Sequence, residues 1–241
     1  MPNKNVGFSK KNHIVYITLS RAKINQAMAQ ELREICEQIS GDDDIYVVIL
    51  TGSGKEFCVG GEAIGEAYHP AVAIAAIDRP VIAAINGDAL GVGLELVLSC
   101  DIRIASEKAK FAMPQVAKGL IPTDGGTQRL PRIIGRGKAL ALLLIAETIT
   151  AAEALEIGLV NKVVPSNALS EEVDKLAETI AAKGPIALRY LKEAVLKGMD
   201  MTLEQGLRLE ADLYFLLHTT SDRTEGIKSF LEKRTPKYKG E

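Results

Sequence analysis

Cysteine is scarce in this chain, and its spacing excludes more than its number. The three cysteines, Cys36, Cys58 and Cys100, form no C-x-x-C pair and have no histidine beside them, so neither a zinc knuckle nor a disulfide scaffold is indicated. Long hydrophobic runs are also missing. The richest, residues 139–146, falls well short of the roughly 18–20 residues that span a bilayer. Residues 1–11 are polar and basic, without the apolar core of a secretory signal. These absences together lead to the expectation of a cytoplasmic protein in a reducing compartment. Charge of one sign is lacking too. With 29 basic and 31 acidic side chains the formal net charge is -2, which argues against a broad basic face for nucleic acid. Tryptophan is absent and aromatic residues make up 5% of the chain.

What remains is an ordinary globular composition, 47% hydrophobic and 25% charged over 241 residues. That length suits one large domain, or a domain with a helical appendage, burying roughly 70–75% of its unfolded surface. Glycine is the enriched type, with 21 residues, and several fall in short clusters: Gly52 with Gly54, Gly60 with Gly61, Gly91 with Gly93, and Gly125 with Gly126. Such clusters mark places where the backbone itself comes close to something.

The hydrophobic pattern alternates between strand and helix. Residues 13–19 (HIVYITL) alternate in β-branched and aromatic types and predict a strand. Residues 27–39 place Met28, Leu32, Ile35, Cys36 and Ile39 at helical spacing. The continuous apolar run at residues 47–50 reads as a strand buried on both faces, and residues 80–85 and 101–105 read as a second and a third buried strand. Residues 94–99 read as a helix that begins at a glycine cluster. Beyond residue 151 helical spacing dominates, at 169–182, 185–196, 202–217 and 222–233. The expected organisation is an α/β core over residues 1–150 carrying the site, followed by a helical region over 151–241.

Two nucleotide-binding motifs fail on inspection. Around Gly54 and Lys55 a phosphate loop would need a glycine where the chain has Ile49, and residues 87–93 lack the order of a dinucleotide fingerprint. The stretch PVIAAINGDALGVGLELVLS is more informative, since it runs from a buried strand through a glycine turn into a helix whose first turn carries Glu95. Amides at a helix start, aided by the helix dipole, stabilise an oxyanion. Taken alone, Glu95 also reads as a simple complement to its helix dipole. A second glycine pair, Gly60 and Gly61, follows another buried strand. Two donor loops and one carboxylate make a site suited to an enolate.

Six ordered stretches, SRAKINQAM, VVILTGSGKEFCVGGE, PVIAAINGDALGVGLELVLSCDIRIASEKAKFAMPQ, GLIPTDGGTQRLPRIIG, AAEALEIGLVNKVVP and DRTEGIKSFLEKR, resemble the enoyl-CoA hydratase/isomerase (crotonase) superfamily. The resemblance implies a spiral of ββα units followed by a C-terminal helical trimerisation region, and a homotrimer or hexamer. It implies an acyl-CoA thioester as substrate, with coenzyme A part of that substrate and no further cofactor or metal. The amides of Gly61 and Val92 would form the oxyanion hole, and Glu95 would act as acid and base. Arg21, Lys23, Ile24, Phe230 and Lys233 would contact coenzyme A, although each also reads as a solvated charge or a packed side chain.

The departures from the family pattern concern the second acid and the pocket. Where hydratases carry a second glutamate this chain has Gln115, and an amide binds water but cannot shuttle a proton. Asp124 is a candidate for the missing carboxylate, though turn chemistry before two glycines also explains it. Glu62, Glu66 and His69 are further candidates. Val92 stands where many members have glycine, and residues 61–80 are short for a region that walls the acyl pocket. Hydration of a 2-enoyl-CoA is the leading expectation. The alternatives are isomerisation, decarboxylation or thioester hydrolysis on the same scaffold, or CoA-ester binding without catalysis.

Overall fold

The computed structural model describes residues 5–61 and 69–241. In chain order the elements of the first half are β1 (Val6–Lys11), β2 (Ile14–Leu19), α1 (Gln26–Ser40), β3 (Val47–Gly52), α2 (Pro70–Ala75), β4 (Val81–Ile85), β5 (Ala89–Leu90), α3 (Val92–Ser99), β6 (Ile102–Ser106) and β7 (Lys110–Ala112). A 3-10 helix, Pro114–Lys118, then leads to α4 (Gly126–Ile134), α5 (Arg136–Ile145), β8 (Ile149–Thr150), α6 (Ala151–Glu156) and β9 (Lys162–Val164). Four helices follow: α7 (Leu169–Ala181), α8 (Pro185–Gly198), α9 (Leu203–Leu217) and α10 (Ser221–Leu231).

The main sheet runs β1-β2-β3-β4-β6-β9, antiparallel only between β1 and β2. Its continuous apolar runs serve two cores. Val48, Leu50, Val81, Ala83 and Ile85 point to a core shared with α1, α2 and α3, while Val47, Ile49, Ile82 and Ala84 point to Leu169, Val173 and Ala177 of α7. A strand sandwiched this way has no polar face to show, which is why the sequence pattern does not alternate there. Helix α1 buries Met28, Leu32, Ile35, Cys36 and Ile39 on one stripe and is capped by Asn25, whose side chain accepts from the Met28 amide at 2.9 Å.

Two expectations are modified by the packing. Strand β1, within the polar first stretch, carries one buried side chain, Val6, and is held by backbone pairing to β2 across a hairpin turn at Asn12 and His13. The division expected at residue 150 does not coincide with a break in packing, because β9 pairs with β6 and α7 covers the second face of the same sheet. Helix α8 is tied back to the sheet by Lys192, whose ammonium donates to Asp101 Oδ2 at 2.7 Å and to the Arg79 carbonyl at 2.9 Å. Past α10 the chain returns, and the amides of Lys239 and Gly240 donate to the Asp222 carboxylate.

A small second sheet, β5-β7-β8, positions the site. It joins β5, which ends at the glycine turn before α3, to β7, which ends just before Gln115.

Candidate active site

The two glycine loops meet through main chain. The Leu90 amide donates to the Cys58 carbonyl at 2.8 Å, and Cys58 bridges Ala89. At Gly93 a Cβ would stand 1.9 Å from the Cys58 carbonyl oxygen, so only glycine lets α3 start this close to the first loop. Gly91, at φ 59, makes the turn that directs the helix inward. Among the described residues neither the Gly61 nor the Val92 amide donates to a backbone carbonyl. For Val92 that follows from its place as the first residue of α3. The pair of predicted oxyanion donors is thus available on two loops in direct contact. The cluster at Gly52 and Gly54 has a different purpose: Asn86 accepts from the Gly52 amide and donates to the Gly54 and Glu56 carbonyls, which folds that turn onto β4.

Glu95 is 1% exposed and one turn into α3. Its Oε1 accepts from the Asp124 amide at 2.7 Å and from the Gly126 amide at 3.0 Å. Burial pushes its carboxyl above the usual glutamate range, against the pull of those two amides; the Asp124 charge adds to the rise and Arg129 opposes it. One oxygen is therefore locked and the other is left to carry the proton. A buried carboxyl with a raised affinity for protons suits a group that alternates as base and acid.

Asp124 is 3% exposed, and its carboxylate is occupied elsewhere. Its Oδ2 accepts from the Ala71 amide at 2.6 Å and its Oδ1 from the Val72 amide at 3.2 Å, at the start of α2. Burial raises its proton affinity while those amides lower it. The side chain clamps the loop of residues 122–126 onto α2, and its backbone amide holds Glu95. His69 Nδ1 lies 3.9 Å from Asp124 Oδ1, outside hydrogen-bond range. Glu62 and Glu66 lie outside the described residues. Arg129, which sequence reasoning missed, donates to the Asp124 carbonyl at 2.8 Å and braces the loop from α4. Its only sequence signal is its place in the helix that follows Gly125.

Gln115 sits in the 3-10 helix after β7, and its Oε1 is buried without a hydrogen-bond partner. The loop expected to meet coenzyme A runs beside the first donor loop. The Val59 amide donates to the Ala22 carbonyl at 2.7 Å, and the Ile24 amide to the Gly60 carbonyl at 3.0 Å. Arg21 and Lys23 are exposed there, whereas the Ile24 side chain is wholly buried, so its contribution is the backbone that aligns Gly60. Phe230 is 81% exposed on α10 and Lys233 is exposed just after it. Neither is joined by a hydrogen bond or ion pair to the other site residues among those described. Burial pushes the Cys58 thiol up to about 11, which removes it as a nucleophile at neutral pH. Among the described residues no group of three or more His, Cys, Asp or Glu could hold a metal ion, and no helix is long and apolar enough to cross a membrane.

Two contacting turns whose Gly61 and Val92 amides donate to no described backbone carbonyl, and a buried carboxyl one turn into α3, stand on a parallel sheet followed by helices. The chain belongs to the enoyl-CoA hydratase/isomerase family, whose model matches residues 9–241. It is 38% identical to crotonyl-CoA hydratase of Syntrophomonas wolfei, across 99% of each chain. Its identity to 2,3-dehydroadipyl-CoA hydratase of Escherichia coli is 37%, covering 96% of this chain and 97% of that one. The crystal structure of an enoyl-CoA hydratase from Bacillus anthracis superposes with a TM-score of 0.93 at 42% identity, covering 99% and 100% of the two chains. The fold is that of the crotonase superfamily.

Proposed function

We propose that this protein adds water across the double bond of a 2-enoyl-CoA. The observation that carries the reading is Glu95: a buried carboxyl with one oxygen locked by two amides, at the helix start that also presents the Val92 amide. In this reading the thioester oxygen accepts from the Gly61 and Val92 amides. As water attacks the β-carbon, the electron pair of the double bond moves toward that oxygen, and the enolate is stabilised where it forms. Glu95 takes a proton from the water and returns one to the α-carbon. Arg21 and Lys23 offer cationic charge to the phosphates of coenzyme A beside the first donor loop. The reaction calls on no group beyond the substrate and the chain's own residues. The names of the relatives support the substrate class, since several hydrate CoA thioesters.

The same reading includes self-association. Helices α8 and α9 leave Leu191, Leu203, Leu207 and Phe215 more than half exposed, a cluster of apolar side chains suited to contact with further copies of the chain. A trimer, or a pair of trimers, would bury it and bring Phe230 and Lys233 of one copy toward the CoA of another.

The test is a panel of 2-enoyl-CoA thioesters followed by mass spectrometry. The protein should produce the hydrated thioester, and Glu95→Gln should abolish turnover while thioester binding persists. Full hydration by Glu95→Gln would overturn the reading.

A further inference from the structure

Gln115 stands at the junction of everything that builds the site. The Gly91 amide donates to the Ala112 carbonyl at 2.9 Å, which ties the start of α3 to the end of β7. From that point one chain leads one turn on to Glu95, and the other enters the 3-10 helix at Gln115. A Cβ placed on Gly91 would lie 3.7 Å from Gln115 Nε2 and 4.0 Å from the Gly60 Cα, so the carboxamide sits where the two donor loops touch. Met113 links it to the acid side, since a Cβ on Gly126 would meet the Met113 methyl at 2.9 Å and Glu95 Oε1 at 3.0 Å. The 3-10 helix is closed at its far end by the Leu120 amide, which donates to the Gln115 carbonyl at 3.1 Å, so the residue is not on a loose loop.

Among the described residues, Gln115 Oε1 is the buried side-chain oxygen or nitrogen that has no hydrogen-bond partner. An acceptor buried in that state is costly, and in a functional site it points to a donor supplied by the ligand. The donors of a hydration are the two hydrogens of water. A carboxamide oxygen can only accept, and it neither takes nor releases a proton at neutral pH.

We propose that Gln115 Oε1 accepts one hydrogen of the attacking water while ionised Glu95 accepts the other, so that Gln115 orients the nucleophile and Glu95 alone carries the proton. This rests on the hydratase reading above. The step balances without a second acid. The O–H bond facing Glu95 breaks and its proton passes to the carboxylate as the water oxygen bonds to the β-carbon. The double-bond pair moves to the thioester oxygen between Gly61 and Val92. The enolate then collapses, and the α-carbon takes the proton from Glu95, which regenerates the carboxylate. The hydrogen held by Gln115 stays on the product hydroxyl. Both new bonds form on the face occupied by Glu95, so the addition is syn.

The experiment separates water orientation from proton transfer. Enzyme in deuterated water is given a saturated acyl-CoA, butyryl-CoA, whose α-proton exchange needs Glu95 and the oxyanion amides but no attacking water. Hydration of 2-enoyl-CoA is measured in parallel. Gln115→Leu should lower the hydration kcat about 100-fold, the scale of a misplaced reactant, while exchange stays within about threefold. Gln115→Glu, which keeps an acceptor at the same place, should hydrate within about tenfold of the wild type. Hydration at the wild-type rate by Gln115→Leu would overturn the proposal, and so would an equal loss of exchange, which would give the residue a purely structural role. A wild-type protein that exchanges the α-proton but hydrates no member of the panel overturns the hydratase reading itself.

Discussion

Replacing Gly126 with alanine adds one methyl group at the point where Glu95 is held. Gly126 is not among the glycines with positive φ, so the backbone accepts alanine and the perturbation is purely one of space. The new Cβ would lie 2.9 Å from the Met113 methyl, 2.9 Å from Pro122 Cβ and 3.0 Å from Glu95 Oε1, against ordinary carbon contacts of about 3.5–4.0 Å. The methionine end can swing away, but the proline ring cannot. The carboxylate must then move by about half an ångström, and the 3.0 Å bond from the Gly126 amide is strained or lost. Overpacking of this kind costs about 1–3 kcal/mol. For a chain of this size, at about 2–4 °C for each kcal/mol, the Tm should fall by roughly 2–12 °C. The kinetic effect should be larger, about 100-fold in kcat, because the proton-transfer geometry is what moves. KM should change little, since Arg21, Lys23 and Gly61 are on other loops and the Val92 amide is fixed by the main-chain start of α3 rather than by the Glu95 side chain. Steady-state hydration and thermal unfolding of the same preparation provide both numbers. A kcat within twofold of the wild type together with an unchanged Tm would refute the reasoning.

Three further outcomes follow from the same geometry. Asp124→Ala leaves the buried Ala71 amide without its acceptor, at a cost of about 1–3 kcal/mol, yet keeps the backbone amide that holds Glu95; unfolding by urea should show the loss of stability, and a fall in kcat as deep as that of Glu95→Gln would contradict the positioning role. The raised proton affinity of Glu95 means that the folded chain retains a proton which the unfolded chain releases above about pH 4.3. Stability from this group is thus complete below that value and is lost as pH rises through the folded pKa. Glu95→Gln should melt above the wild type at neutral pH, with the difference closing toward pH 4, and hydration by the wild type should decline on its acid side as Glu95 takes up its proton. Finally, Arg21→Ala with Lys23→Ala should raise KM for a CoA thioester at low salt, an effect that shrinks at high salt while kcat holds; an unchanged KM would remove both residues from the CoA site.

The elements that read well from sequence are those whose partners are implied by period alone. The apolar stripe of α1 and the doubly buried runs of β3 and β4 declare a core without naming it. Strand β1 is hard to read from sequence because Val6 is its one fully buried side chain, half of its residues are exposed, and it owes its place to backbone pairing with β2. The glycine turns that carry Gly61 and Val92 are legible in the sequence through glycine clustering. What holds them is not, because the contact of Gly93 with the Cys58 carbonyl joins segments far apart in the chain. Asp124 was weighed as an acid from its type and place. Its carboxylate meets amides 52 and 53 positions earlier, and no local pattern signals an acceptor at that separation. Ile24 was placed against ligand for its neighbours, but its burial is a tertiary fact.

The contact between Gly93 and the Cys58 carbonyl has a consequence for how this site can diversify. On the proposed reading, the hardware for the thioester oxygen rests on main-chain atoms of Gly93 and Cys58 pressed together with no room for a side chain between them. Its spacing therefore cannot be retuned by exchanging side chains, only kept or destroyed. On the same reading, the groups that choose what happens to the enolate are side chains at positions 95 and 115, rooted in α3 and in the 3-10 helix after β7. The protein is built as a fixed chuck with two exchangeable bits, and a change of chemistry on this scaffold needs new letters at those two positions rather than a new fold.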